Sequence, residues 1–352
     1  MPILQRCNDL DRFPYIMTSQ PLYYHLNMIQ PDTNRVLQVY GLRAKEVRPV
    51  QKGYRNHIYP VILTSGRTIS LIIYKSEPDI LAKIENAHYV SNYLASKRLP
   101  VRTTEDDRIL QIQSPRHKTY GAIYNYLPGH TIPWEAYTMA HIKALGATMS
   151  DMHAHLAKLP RKKLPNITDE YHMVLTRMNM YFADQGVRQA MEHKLGLCVK
   201  PNSINGFVRL LQKLAGSPVQ QPLHMDFVRG NILFDDASAI AGILDFEKAA
   251  YGDPLLDIAR TLAFLLVDCK YKTEAKVRKY FLHSGYNKRG GSSFVGRSAE
   301  LEMAVTLFLL YDFYKFLRHN PYEYLGQNEH YIRTRDFLLR QTIISVCPGA
   351  EG

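Results

Sequence analysis

The chain has 352 residues, of which 46% are hydrophobic and 22% are charged, so it can bury one or two cores and is not a disordered protein. Its formal net charge is +12, which indicates either an anionic partner or a solvated basic exterior. Apolar runs stay shorter than the roughly 18–20 residues that span a bilayer, and the basic residues form no long arm, so neither a membrane nor a specific nucleic acid is a predicted partner.

The N-terminus and the cysteines bear on the compartment. The first residues, MPILQRCNDLDRF, carry early charges and lack the apolar segment of a secretory signal. The cysteines are widely scattered, and none belongs to a C-x-x-C pair: Cys7, Cys198, Cys269 and Cys347. This pattern predicts neither a zinc site nor a disulfide framework, and it favours a cytoplasmic location.

The first part of the chain divides into two predicted segments. Residues 1–45 predict an N-terminal helical extension whose helix ends near Tyr40-Gly41. Residues 46–126 predict a small sheet, because β-branched segments such as HIYPVILT and TISLIIYK alternate with turn residues. One helix follows the third strand. By the period-2 rule, one face of that strand carries Ile69, Leu71, Ile73 and Lys75.

Residues 127–352 read as mostly helical. The segment AELEMAVTLFLLYDFYKFL is apolar almost all round, which indicates a buried helix. Two short strands, NILF and IAGILDF, interrupt the helices. The predicted fold class is therefore α+β, with a small β-rich lobe carrying one main helix and a larger, mostly helical lobe. Ligands favour the cleft between two such lobes.

One stretch carries the clearest chemical pattern. LHMDFVRGNILF places His224, Asp226 and Asn231 in the order H-x-D-x-x-x-x-N, and Asp245 follows fourteen residues later. Phosphoryl transfer needs bound metal and a group that orients the nucleophile, and Mg²⁺ prefers carboxylate and carbonyl oxygens. We therefore interpret Asp226 as a base, and Asn231 and Asp245 as ligands of Mg²⁺.

These residues resemble the aminoglycoside phosphotransferase/choline kinase-like family, which shares the protein-kinase fold. The stretch GDPLLDIARTLAFL and the segment YLPGH strengthen the resemblance, which spans roughly residues 46–320. It implies that residues 46–126 form a nucleotide-binding lobe, and that residues 127–352 form a catalytic and substrate-binding lobe. The cofactors that it implies are ATP or GTP and Mg²⁺.

The family also implies roles for single residues in the small lobe. Lys75 would pair with the α- and β-phosphates, and Glu85 on the next helix would hold Lys75 by an ion pair. Tyr124 to Leu127, including Tyr126, would receive the adenine through backbone groups. Gly53 and Asn56 loosely fit the family's phosphate loop, although the G-x-G-x-x-G pattern is absent.

Further roles are implied in the large lobe. His224 would brace the catalytic loop, and Asp257 would be structural. Arg229 would contact the γ-phosphate or an anionic substrate, or would lie on the surface. His153 and His155 stand two residues apart on a predicted helix and point in different directions, so a packing or capping role is expected for them in place of metal binding.

The acceptor is predicted to be a small molecule. Only eleven residues separate Asp245 from Asp257, and no A-P-E motif follows, so a protein substrate has little room to dock. Aminoglycosides, choline or ethanolamine, and homoserine-like or other metabolites stay open as acceptors, as does the oligomeric state. The alternative function is a catalytically silent relative that binds a nucleotide or an anionic partner.

Overall fold

The structure is a computed structural model that describes residues 30–52, 56–113, 118–200 and 203–347. Gly53 and most of the predicted N-terminal extension therefore lie outside the described residues. Helix α1 (Gln30–Val39) belongs to that extension and ends where the sequence predicts.

An antiparallel sheet forms the small lobe, and its strands run in the spatial order β1-β3-β4-β6-β5 with β2 also paired to β3. The strands are β1 (Ala44–Val47), β2 (Gln51–Lys52), β3 (His57–Leu63), β4 (Thr68–Tyr74), β5 (Leu110–Gln113) and β6 (Lys118–Asn125). Helix α2 (Ile80–Ser96) follows β4. The sheet and its single crossing helix confirm the predicted architecture.

Strand alternation divides the core of this lobe into two layers. Leu71 and its neighbours on one face of β4 pack in one cluster with Leu37 of α1. Ile72 and Tyr74 on the opposite face pack with Ile84 of α2. Because successive side chains of a strand point to opposite faces, each face of the sheet is covered by one helix.

Helices dominate the large lobe. They are α3 (Met139–Leu156), α4 (Ile167–Ala183), α5 (Gln185–Leu195), α6 (Ser203–Ala215), α7 (Pro254–Asp268), α8 (Glu274–Arg278), α9 (Ser298–His319), α10 (Tyr322–Leu325) and α11 (Glu329–Arg340). Helix α9 is the predicted buried helix, and it packs against α7. Within the described ranges, no helix is both long and apolar enough to cross a bilayer.

Three short two-stranded sheets are set among these helices. The strands are β7 (Leu197–Val199), β8 (Gln221–Leu223), β9 (Ile232–Phe234), β10 (Ile240–Ile243), β11 (Ala250–Gly252) and β12 (Ile344–Val346). β9 pairs with β10, β8 with β11, and β7 with β12, all antiparallel. The first two pairs carry the H-x-D-x-x-x-x-N stretch and the following Asp245.

A capped start fixes the position of α7. The side chain of Asp253 accepts a hydrogen bond of 2.9 Å from the backbone N–H of Leu255, and Pro254 occupies the first helical turn. Both features are favoured at a helix N-terminus, where backbone donors lack partners. The cap places Asp257 in the first turn of α7 and Arg260 three residues later, where both contact the loop that holds Asp226.

The cysteines contradict the prediction that no disulfide forms. Cys198 and Cys347 are bonded, with 5.6 Å between their Cα atoms and 149 residues between them in sequence. Pairing of β12 with β7 brings them together, with Ser345 opposite Cys198. The prediction was wrong because sequence spacing carries no information on a pairing between distant strands.

Candidate active site

The loop from residue 224 to residue 231 is held by a buried carboxylate. Asp257 on α7 is fully buried, and its two oxygens accept hydrogen bonds from the backbone N–H groups of His224 (2.9 Å) and Met225 (3.0 Å). His153 of α3 contacts the same carboxylate at 3.2 Å through Nε2, and its Nδ1 contacts the hydroxyl of Tyr286 at 2.8 Å. Asp257 and His153 therefore join α7 and α3 to this loop, and the structural role of Asp257 stays a prediction.

His224 braces this loop against the strand that leads to Asp245. Its Nδ1 accepts a 3.1 Å hydrogen bond from the backbone N–H of Asp226, and its Nε2 lies 3.1 Å from the carbonyl oxygen of Leu244. The ring is fully buried, and this burial lowers the pKa of His224. A neutral ring with its proton on Nε2 satisfies both contacts, which suits a bracing role and not proton transfer.

The carboxylate of Asp226 is buried, and both of its oxygens accept hydrogen bonds. Its Oδ2 accepts a 2.9 Å hydrogen bond from the side-chain amide of Asn231. Its Oδ1 accepts from Lys248 Nζ at 2.7 Å and from Arg260 Nη2 at 3.2 Å. Burial by itself raises the pKa of Asp226, but Lys248 and Arg260 outweigh it and hold the pKa below its ordinary value. Asp226 is therefore ionised at neutral pH.

The hairpin of β9 and β10 places Asn231 and Asp245 side by side. The backbone N–H of Leu244 donates to the carbonyl oxygen of Asn231 at 2.8 Å, so Asp245 follows directly on the adjacent strand. The backbone of Asp245 has a φ of 57°, in the left-handed region that residues other than glycine rarely adopt. Such strain often marks functional positions.

The oxygen atoms at this hairpin suit Mg²⁺. The side-chain NH₂ group of Asn231 donates both of its hydrogen bonds to Asp226. The side-chain oxygen of Asn231 accepts no hydrogen bond from the described residues. Asp245 accepts one bond of 3.3 Å, from the backbone N–H of Glu247. Mg²⁺ usually takes one or two carboxylates and keeps several waters. In the ranges that the structure describes, no group of three or more His, Cys, Asp or Glu side chains is placed to hold a metal ion.

Asn56 joins the two lobes at this point. Its amide donates to Glu247 Oε1 at 2.7 Å, and its carbonyl oxygen accepts from the backbone N–H of Lys75 at 3.4 Å. Lys75 thus lies near the edge of the cleft, next to the turn that follows Asp245. The roles predicted for Asn56 and Lys75 in nucleotide binding stay predictions.

The ion pair between Lys75 and Glu85 stays a prediction. Both side chains are exposed. Helix α2 turns Ile84 and His88 toward the sheet, and Glu85 lies about 100° further round the helix. The rotation of α2 therefore keeps Glu85 on its outer surface.

Tyr124 and Tyr126 occupy different environments. The hydroxyl of Tyr124 hydrogen-bonds that of Tyr74 and lies 2.6 Å from His88 Nε2, so its side chain belongs to the core beneath α2. Tyr126 follows β6 and is exposed at the connection between the lobes. Their predicted contribution, through backbone groups, stays untested.

Arg229 pairs at the end of α7. Its Nε lies 3.9 Å from Asp268 Oδ2, and His330 Nδ1 lies 3.4 Å from the other oxygen of Asp268. The side chain of Arg229 is partly exposed. The ion pair with Asp268 holds Arg229 at the end of α7. Its contact with the γ-phosphate or an anionic substrate stays a prediction.

Sequence reasoning missed Lys248 and Arg260, the two cations at Asp226. Arg260 Nη1 also donates a hydrogen bond of 3.0 Å to the hydroxyl of Tyr171, and the guanidinium lies 5.5 Å from the ring of Phe264 and 5.7 Å from that of Phe308. A signal was present, because Arg260 stands three residues after Asp257 in the otherwise apolar helix DPLLDIARTLAFLL. A charge in such a helix is buried and needs a buried partner.

Comparison with known proteins identifies the family. The profile of the phosphotransferase enzyme family, APH, matches residues 46–275, which is more than half of the chain. The chain belongs to this family. It is therefore a small-molecule kinase of the APH family, which confirms the resemblance found in the sequence. No curated protein matches the chain significantly.

Solved structures of this family share the fold of the APH-family chain. Amicoumacin kinase hAmiN, in complex with AMP-PNP, Ca²⁺ and Ami, has a TM-score of 0.66 at 16% identity and covers 90% of this chain and 95% of its own. Wild-type aminoglycoside 2′-phosphotransferase-IIIa in its GDP complex has a TM-score of 0.58 at 16% identity, covering 88% and 99%. Macrolide 2′-phosphotransferase MphH from Brachybacterium faecium has a TM-score of 0.54 at 15% identity, covering 86% and 96%. The predicted protein-kinase-like fold is confirmed.

Proposed function

We propose that this APH-family kinase transfers the γ-phosphoryl group of ATP or GTP to a hydroxyl group of a small molecule, with Mg²⁺. The observation that carries the proposal is the ionised carboxylate of Asp226, which is hydrogen-bonded to Asn231 beside the hairpin of Asp245. Structural relatives bind AMP-PNP with Ca²⁺ or bind GDP, which supports a nucleotide and a metal here.

Each residue has a defined part in this chemistry. Asn231 and Asp245 would hold Mg²⁺, which when bound offsets the negative charge of the phosphates. Asp226 would accept a hydrogen bond from the acceptor hydroxyl and later take its proton. Because the pKa of Asp226 is low, orientation of the hydroxyl is its main contribution, and proton transfer follows formation of the O–P bond.

The charged residues of the large lobe restrict the class of acceptor that the site favours. Asp312 on α9 is buried and paired with Lys315. Asp268 is paired with Arg229 and His330. A polycationic aminoglycoside needs spare carboxylates, and these two are already compensated, so we favour a neutral or anionic acceptor.

The aromatic residues near Asp226 lead to the same preference. Quaternary ammonium groups are commonly held in aromatic cages. Here the guanidinium of Arg260 lies 5.5 Å from the ring of Phe264 and 5.7 Å from that of Phe308, so a cation of the protein itself already occupies these rings. Choline and ethanolamine are therefore less favoured than homoserine-like hydroxy acids.

A transfer assay tests the proposal. The protein is incubated with γ-labelled ATP or GTP, Mg²⁺ and three groups of acceptors, namely aminoglycosides, amino alcohols and hydroxy acids. We expect label in a hydroxy acid or a neutral alcohol, and a loss of about 10²–10⁴-fold in Asp226→Asn. Asp236→Asn is the matched control, because Asp236 is exposed on the β9–β10 turn. Equal transfer by Asp226→Asn and the parent would overturn the assignment.

The formal net charge of +12 favours an anionic partner, so the second candidate function is a catalytically silent relative that binds a nucleotide or an anionic partner. Thermal unfolding with ATP, in the presence and absence of Mg²⁺, separates the two functions. Stabilisation that depends on Mg²⁺ supports the enzyme, and stabilisation that ignores Mg²⁺ supports the silent relative.

A further inference from the structure

Two cations contact the same oxygen of Asp226 from different parts of the chain. Lys248 comes from the turn that follows Asp245, and its Nζ lies 2.7 Å from Asp226 Oδ1. Arg260 comes from α7, and its Nη2 lies 3.2 Å from that oxygen. Lys248 therefore reaches Asp226 from the side of the predicted metal ligands, and Arg260 reaches it from the helices of the large lobe.

The two cations differ in how deeply they are buried. The side chain of Arg260 is 8% exposed, bonded to Tyr171 and within 5.5 Å and 5.7 Å of two aromatic rings. The side chain of Lys248 is 38% exposed, and its ammonium group is carried on a flexible four-carbon stem. When an acceptor hydroxyl bonds to Asp226 Oδ1, Lys248 is the cation that can leave, and the buried Arg260 stays in contact with that oxygen.

We propose that Lys248 is a further catalytic residue, whose ammonium group moves from Asp226 to the γ-phosphoryl group during transfer. This inference rests on the proposed function. An acceptor oxygen bonded to Asp226 lies about 3–3.5 Å from the phosphorus that it attacks. The ammonium group, already within 2.7 Å of the same carboxylate, needs only a small movement to reach the phosphoryl oxygens.

The step itself is balanced without another reactant. The acceptor O–P bond forms as the bond from phosphorus to the β-phosphate oxygen breaks, the hydroxyl proton passes to Asp226, and the nucleoside diphosphate leaves. Negative charge spreads over the three equatorial oxygens of the transferring group. A preorganised cation aimed at those oxygens stabilises them most in the transition state.

A transition-state mimic tests Lys248 without knowledge of the acceptor. Thermal unfolding is measured with Mg²⁺ and ADP, and again after addition of aluminium fluoride, which takes the place of the transferring phosphoryl group. We compare the parent, Lys248→Met, and the control Lys194→Met, which removes an exposed lysine paired with Glu323 on α10. We expect aluminium fluoride to raise the melting temperature further in the parent and in Lys194→Met. Lys248→Met should keep the rise with ADP and lose the additional rise.

The outcomes separate this inference from the proposed function. If Mg²⁺ and ADP fail to stabilise the parent, the proposed function fails and the inference falls with it. If Lys248→Met shows the same additional rise as Lys194→Met, the role of Lys248 alone is overturned. A purely structural role would lower the melting temperature of Lys248→Met under every condition and leave the additional rise intact.

Turnover gives a second readout. We expect Lys248→Met to lower kcat about 10²–10³-fold, the range seen for loss of one transition-state donor, with little change in the KM for the nucleotide. Lys248→Arg keeps a cation at this position and should restore part of kcat. A rise in KM with unchanged kcat would contradict action on the transferring group.

Discussion

Asp226 and Asp257 show how single buried carboxylates organise the loop between β8 and β9. Asp226 is bonded by cations and by an amide, and Asp257 is bonded by two backbone N–H groups and by His153. Burial alone would raise the pKa of Asp257, but the hydrogen bond from His153 and the N–H of His224 lower it. The loop between β8 and β9 therefore needs an ionised Asp257 that accepts hydrogen bonds on both of its oxygens.

Asp257→Asn tests this condition. An amide presents one oxygen and one NH₂ group, so at least one N–H of the loop would face another donor. We expect the free energy of unfolding to fall by about 1–3 kcal/mol, the cost of a buried polar group without a partner, and kcat to fall with it. Urea unfolding and turnover are measured against Asp236→Asn, whose side chain is exposed. Stability equal to that of the control would show that Asp257 does not hold the loop.

At the scale of elements, sequence spacing predicts the β9–β10 hairpin better than it predicts the contacts of α2. The hairpin was predictable because Asn231 and Asp245 flank one short hairpin, so their spacing alone returns them to the same edge. The contacts of Glu85 were not predictable, because each residue along a helix changes direction by about 100°, and Glu85 is exposed while Ile84 and His88 are buried. Contacts such as Arg260 with Asp226 depend on how elements pack, which spacing does not encode.

His88 makes the stability of the small lobe depend on pH. Burial lowers the pKa of His88 from 6.5 to about 4. Between pH 6.5 and pH 4, His88 is therefore protonated in the unfolded chain and neutral in the folded protein. Its contribution to stability is full above pH 6.5 and is lost as the pH falls toward 4. From pH 7 to pH 5 we expect a loss of about 1–2 kcal/mol from this group.

Two variants isolate this effect. His88→Gln keeps a side chain that can hydrogen-bond the hydroxyl of Tyr124 but cannot be protonated in this range, so its stability should vary less between pH 7 and pH 5. His193→Gln replaces an exposed histidine on α5 and serves as the control. The same pH dependence in His88→Gln and the parent would rule out His88 as its source.

At the scale of the whole molecule, both strands of the β9–β10 hairpin form backbone hydrogen bonds with segments that precede α3. This hairpin carries Asn231 and Asp245. Phe234 exchanges two backbone hydrogen bonds with His130, and Ile243 exchanges two with Pro100 and Arg102. Asn56 adds the contact with Glu247. These contacts join the hairpin to the small lobe, a connection that the sequence predicts only as a cleft between two lobes.

The disulfide between Cys198 and Cys347 fastens the last described strand to the large lobe. A bond across 149 residues restricts the unfolded chain strongly, and native disulfides typically contribute about 2–4 kcal/mol. We expect dithiothreitol to lower the free energy of unfolding of the parent by this amount. Cys198→Ser should have the lower stability at the outset and should not respond to dithiothreitol. A parent that is equally stable with and without the reductant would contradict the bond.

A crystal structure of the chain with Mg²⁺ and AMP-PNP tests the central claim most directly. We expect the nucleotide in the cleft between the lobes, and Mg²⁺ about 2.0–2.1 Å from the side-chain oxygens of Asn231 and Asp245. The γ-phosphate should face Asp226. A nucleotide bound elsewhere, or a metal ion held without either residue, would contradict the assignment of this site.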